Sequence, residues 1–130
     1  MAAPTGGIRV ARYGFDVSQW DEDMQDALEI IAEVARNEET ITYSEFAEEL
    51  GRYSSWNVGK LLLNPILFAT RGVAGCLITS VVVSDKNRPP HSDDHFISTA
   101  KDLGFRAEDP EHFWSEQVRK TYEYFRDVRV

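Results

Sequence analysis

Apolar residues first fall into a helical rhythm over residues 18–37, where Trp20, Met24, Leu28, Ile31 and Ala35 form one stripe. Asp21, Glu22 and Asp23 stand where the first turn would be, the end at which a helix dipole favours acids. This predicts a long amphipathic helix starting at Ser18. The pattern then shortens. Thr42 and Glu45 have the spacing of a capping box, so a second helix is expected from about Tyr43. Phe46, Ala47 and Leu50 would share its inner face, and Gly51 stands where a left-handed C-terminal cap forms most easily. Beyond Arg52 and Tyr53, Ser54 or Ser55 is the next candidate N-cap. Trp56, Gly59, Leu62 and Leu63 then lie on one face, and Asn64-Pro65 is expected to end the run. Residues 41–65 therefore read as a helix-turn-helix.

The period changes again at residues 76–84, where Ile78, Thr79, Val81, Val82 and Val83 predict a strand buried on both faces. Residues 85–90, with two prolines, are an exposed loop. A helix is expected from Ser92 or Asp93 to Gly104, with Phe96, Ile97, Ala100 and Leu103 inward. The last helix has a clear start in Asp109-Pro110-Glu111, and its stripe is Trp114, Val118, Tyr122 and Phe125, broadened by Phe113, Tyr124 and Val128. Near the start, residues 1–7 read as flexible and residues 8–10 as a short strand or extended arm. Ile41-Thr42 reads as a short strand. The order predicts a helix-rich α+β fold, with a winged-helix-like core over residues 18–92, a small sheet, and a C-terminal helical extension over residues 93–130. The loop at 85–90 stands where a wing would stand, although no second wing strand is legible after Pro90.

Size and composition narrow the class. A chain of 130 residues, 42% hydrophobic with three Trp and seven Phe, is expected to fold as a single domain around one core. Cys76 is the only cysteine, which rules out an internal disulfide and a multi-cysteine zinc site. Residues 1–7 carry no charged and apolar leader pattern, and the longest apolar run, residues 72–83, falls short of the roughly 20 residues a membrane helix needs. A cytoplasmic protein without a membrane partner is the expectation.

Charge is distributed unevenly. The net charge is −8, yet residues 16–50 hold twelve acids against Arg36 alone, whereas residues 51–92 hold five cations against Asp85. The second helix and the loop are thus the basic part of an acidic molecule. On a helix-turn-helix this suits a DNA face, for which the candidates are Tyr43, Arg52, Ser55, Asn57, Lys60, Lys86 and Arg88. Asn57 could read adenine, Lys60 could meet guanine or phosphate, and Arg52 would lie near the backbone. The same asymmetry suits a protein interface. In that alternative the chain is an acidic interaction module, an inhibitor or DNA mimic, that binds its partner through Asp23, Asp26 and Glu33 of the first helix. Trp56 fits the core better than a stacking role, because it is in phase with Gly59 and Leu63.

The run Thr42-Tyr43-Ser44-Glu45-Phe46-Ala47, followed by Val58-Gly59-Lys60 and Asn64-Pro65, resembles the winged-helix half of the O6-alkylguanine-DNA alkyltransferases and alkyltransferase-like proteins. The resemblance covers about 25 residues. It implies a winged-helix fold and a phosphate contact for Tyr43. It does not imply alkyl transfer, because Trp56 replaces the family's arginine finger and Cys76 is followed by Leu77-Ile78 where the family has His-Arg. The layout also resembles bacterial and phage open reading frames without an assigned activity.

Catalytic chemistry finds little support in the pattern. His91 and His95 are four apart, but Pro89-Pro90 holds His91 outside the helix and Asp93-Asp94 serve as first-turn acids, so no metal site is expected. Cys76 sits among strand residues that predict an inert buried thiol. His112, near Asp109, reads as a surface residue. No cofactor loop is present, since Gly72-Val73-Ala74-Gly75 lacks the lysine and spacing of a phosphate cradle. The expected function is a non-enzymatic DNA-binding or regulatory module.

Overall fold

The computed structural model describes residues 11–54, 57–83, 100–102, 104–106 and 108–128. The expectations for residues 1–10, for Ser55 and Trp56, for the loop with Lys86 and Arg88, for His91 and His95, and for Phe96, Ile97 and Leu103 lie outside the described residues.

Helix α1 (Glu22–Arg36) buries Leu28, Ile31 and Ala35 of the expected stripe. It starts four residues later than Ser18. Asp21 is the N-cap, its side chain accepting the Met24 N–H at 2.9 Å, while the Ser18 N–H is turned back to Asp16 Oδ1 at 2.9 Å. An aspartate that satisfies a first-turn amide outcompetes a serine already engaged upstream.

Ahead of α1, strands β1 (Ala11–Arg12) and β2 (Phe15–Asp16) form an antiparallel hairpin with Arg12 opposite Phe15. The turn residues Tyr13 and Gly14 both have positive φ, 52° and 85°, as a two-residue hairpin turn requires. For tyrosine that conformation costs about 1 kcal/mol. Packing offsets it. The Tyr13 ring is buried, its edge meets Phe125 at 5.4 Å between ring centres, Arg36 lies over its face, and its hydroxyl donates to Glu29 at 2.6 Å.

Strand β3 (Ile41–Thr42) leads into helix α2 (Tyr43–Leu50) through the expected capping box, in which Thr42 and Glu45 bond each other's amides at 3.1 Å. Phe46, Ala47 and Leu50 are buried, and Gly51 closes the helix with φ 77°. Among the described residues the second helix runs from Val58; ahead of it the Ser54 carbonyl accepts the Val58 N–H at 3.1 Å, and the Ser54 N–H donates to Asn57 Oδ1 at 3.0 Å.

Asn64-Pro65 does not end that helix. A π-helical stretch, Gly59–Leu63, runs directly into helix α3 (Asn64–Ala74), which closes at Gly75 with φ 70°. A proline ring lacks an N–H and clashes with the carbonyl four residues back; the wide π turn just before Pro65 makes room for it, so the helix widens and continues. Ile66, Leu67 and Thr70 extend the buried side of Leu62 and Leu63.

The expected strand at 76–84 is also corrected. Residues 76–83 are buried throughout, but Ile78–Val81 forms a 3-10 turn, and among the described residues of this stretch the strand is β4 (Val82–Val83), paired in parallel with β3. β-Branched composition reports burial here rather than extension. The reason lies in the last helix, α4 (Pro110–Asp127), which enters on Asp109 as expected. From its inner face Gln117 Oε1 accepts the Leu77 N–H at 2.8 Å, Trp114 Nε1 donates to the Ser80 carbonyl at 2.9 Å, and Thr121 Oγ1, which donates to the Gln117 carbonyl at 2.7 Å, also lies 3.3 Å from the Leu77 carbonyl oxygen. Backbone groups satisfied by side chains need no ladder partner.

One core cluster, built from Phe15, Leu28, Ile31, Phe46, Leu62, Ile66, Val81 and Phe125, joins the hairpin and all four labelled helices. Each such side chain contributes about 1.5–3 kcal/mol by leaving water. A smaller cluster of Leu67, Leu77, Ala100 and Phe113 sits beside it. Residues 100–102 are helical, and Gly104, with φ 92°, follows them as the expected stop. The fold is helix-rich α+β.

Candidate binding site

The candidate residues of the two rival interfaces meet each other. Arg52, just past the Gly51 turn, reaches back to α1 and forms ion pairs with Asp23 and, at 3.2 Å, with Asp26. Tyr53 donates its hydroxyl to Asp23 Oδ2 at 2.9 Å. The Asp23 bond, followed by that to Asp26, raises the Arg52 pKa further, and the same carboxylate raises that of Tyr53. Two of the three acids expected to meet a partner thus hold the turn after α2 against α1, and the arginine expected to meet phosphate is already paired.

Other expected DNA contacts are similarly committed or lie beyond description. Asn57 is exposed, and its side-chain oxygen accepts the Ser54 N–H, which turns the amide back toward its own helix start. Tyr43 is half-buried and packs against the core. The Lys60 backbone lies in the π stretch, and its side chain, like Ser55, Lys86 and Arg88, is outside the described residues.

Glu33 lines a groove of about 390 Å³ between α1 and α2. Glu39, Glu45, Glu48 and Glu49 share its lining with Ile30, Val34 and Ile41. It is the acidic side of the molecule in concrete form. Among the described residues no group of three or more His, Cys, Asp or Glu side chains is arranged to hold a metal ion. Cys76 is buried, with Sγ 3.7 Å from Thr121 Oγ1, and burial pushes its thiol pKa up, which suppresses the nucleophilic thiolate. His112 is exposed and meets Glu116 at 3.0 Å. No helix among the described residues is long and apolar enough to cross a membrane.

The surface that the sequence reading missed is the outer side of α3. Leu61, Phe68 and Val73 are 54%, 54% and 58% exposed. Leu61 lies in the π stretch just before α3; within α3, at 3.6 residues per turn, Pro65 and Gly72 fall between Phe68 on one edge and Val73 on the other, about 140° apart. Arg71 is on the Phe68 edge. Its guanidinium lies 5.8 Å from the Phe68 ring centre, and Nη1 donates to the Phe68 carbonyl at 3.0 Å. The signal that could have revealed this face was available in the sequence: past Pro65, Leu and Ile positions alternate with apolar residues out of phase with them. Ending the helix at Pro65 hid it. Comparison with protein families, curated proteins and solved structures finds no match to this chain.

Proposed function

We propose that the chain is a non-enzymatic binding module on a winged-helix-like core, and that it docks a protein partner through the outer face of α3. The observation that carries this reading is the exposure of Leu61, Phe68 and Val73 on the helix that would otherwise read DNA. Base edges and phosphates are met by hydrogen-bond donors and acceptors, whereas exposed leucine, phenylalanine and valine gain by leaving water against another apolar surface. Contiguous exposed apolar side chains on one helix mark interaction sites more often than scattered ones do. Arg52, held by Asp23 and Asp26, further weakens the phosphate reading.

Native copurification from the host tests it. Wild-type protein should retain a stoichiometric protein partner that Phe68→Asp loses while keeping its helical circular dichroism. Capture insensitive to Phe68→Asp but lost on Glu33→Lys would move the interface to α1 and refute the assignment to α3.

The DNA-binding reading keeps one supporting observation, the short helix, left-handed Gly51 turn and second helix in a stretch with no acid from residue 51 to 83. Fluorescence anisotropy with mixed duplexes at low salt is its test. Saturable binding that Lys60→Ala weakens would favour it, and no binding at tens of micromolar would remove it.

A further inference from the structure

We infer that the partner segment is an acidic amphipathic helix, with an apolar stripe edged by carboxylates. This rests on the docking reading for α3 and adds the chemistry of the occupant. Charge complementarity is the argument. Residues 51–83 contain no Asp or Glu and three cations, whereas residues 16–50 contain twelve acids, so the exposed apolar face of α3 is set in the longest acid-free stretch of an acidic chain. Arg71 supplies the matching group at the edge of that face. Set 5.8 Å from the Phe68 ring centre and bonded to its carbonyl through Nη1, the guanidinium is held beside the apolar stripe as a planar cation whose remaining N–H groups can meet a carboxylate through two parallel bonds. A lysine flank would offer that guanidinium no acceptor.

Shape supports a helix as the occupant. Pro65 and Gly72 keep the middle of the face low between Leu61, Phe68 and Val73, and a methyl group built on Gly72 meets nothing within 4 Å. A helix can therefore approach closely and place residues at i, i+4 and i+7 around Phe68. The same open space means that a side chain added at Gly72 leaves the fold intact and obstructs only the docking path.

Three side-chain-stapled helical peptides of about 16 residues test the inference, each with leucines at i, i+4 and i+7 and flanked by glutamate, glutamine or lysine. Anisotropy against the full chain should rank them glutamate, glutamine, lysine, with about a five-fold step from glutamate to glutamine. Arg71→Glu should invert the order. Gly72→Gln, folded by circular dichroism, should weaken the glutamate peptide at least about ten-fold. Equal binding of all three, or preference for lysine, overturns the acidic partner while leaving α3 docking in place. Absence of any peptide binding, with Phe68-sensitive capture from the host retained, does the same. Loss of that capture as well brings down the docking reading itself. Dimerisation of the chain that Phe68→Asp abolishes overturns the inference in favour of a second copy, and competition by duplex overturns it in favour of DNA.

Discussion

Replacing Gln117 with methionine removes one hydrogen-bond acceptor while nearly preserving side-chain length. Gln117 is 3% exposed, and Leu77, whose N–H donates to its Oε1 at 2.8 Å, is fully buried. In the variant that amide faces a thioether. Losing a neutral hydrogen bond whose remaining partner stays buried costs about 1–3 kcal/mol, and burying a thioether in place of an amide recovers a fraction of this. A net loss of about 2 kcal/mol is expected. With a urea m-value of about 1.5 kcal/mol/M, the unfolding midpoint should fall by about 1.3 M at unchanged m. Arg119→Met, on the exposed side of the same helix, should stay within about 0.5 kcal/mol of wild type. Because Thr121 Oγ1 bonds the Gln117 carbonyl at 2.7 Å and lies 3.3 Å from that of Leu77, Gln117→Met and Thr121→Val should be non-additive. Equal midpoints for Gln117→Met and Arg119→Met would refute the claim that α4 side chains hold the 3-10 turn in place of a strand ladder.

Gly14→Ala should destabilise by about 2 kcal/mol in the same assay, because φ at this position is 85° and the added carbon would lie 2.9 Å from the Tyr124 hydroxyl that bonds Tyr13; a loss below about 0.5 kcal/mol contradicts it. Thr42→Ala should cost about 1 kcal/mol through the capping box, read as faster amide exchange in the first turn of α2. Burial, with the Glu29 bond second, pushes the Tyr13 hydroxyl pKa up to about 12, so the folded state holds its proton after the unfolded chain has released it. Stability should accordingly be level below pH about 10 and decline from there to about 12, and Tyr13→Phe should make that decline shallower in urea titrations across the alkaline range.

Legibility in the sequence followed how local each determinant was. The Thr42–Glu45 box, the Gly51 cap and the Asp109-Pro110 start are specified by residues within four positions of one another, and all were readable. The fate of residues 76–81 was not, since it depends on Gln117, Trp114 and Thr121 more than thirty positions away. Pro65 misled for a related reason. A π turn that absorbs a proline has no composition of its own, and the apolar face beyond it was lost with the helix end. At the site, Asn57 and Arg52 carry the right chemistry for DNA, but their neighbours in space, the Ser54 amide that orients Asn57 and the acids of α1 that pair Arg52, engage them within the fold.

The grip of α4 on the rest of the chain also fixes when folding can finish. Tyr124 bonds the carbonyl of Tyr13, Tyr122 bonds that of Glu39 at 2.9 Å, and Arg36 reaches the carbonyls of Phe125 and Val128 at 3.3 Å, contacts that span 83 to 111 positions. Closures of that length are slow, and none can form on a ribosome until the last helix has left the exit tunnel. Until then the Leu77 amide lacks its Gln117 acceptor and the hairpin its cover, so the interior closes only once α4 has emerged.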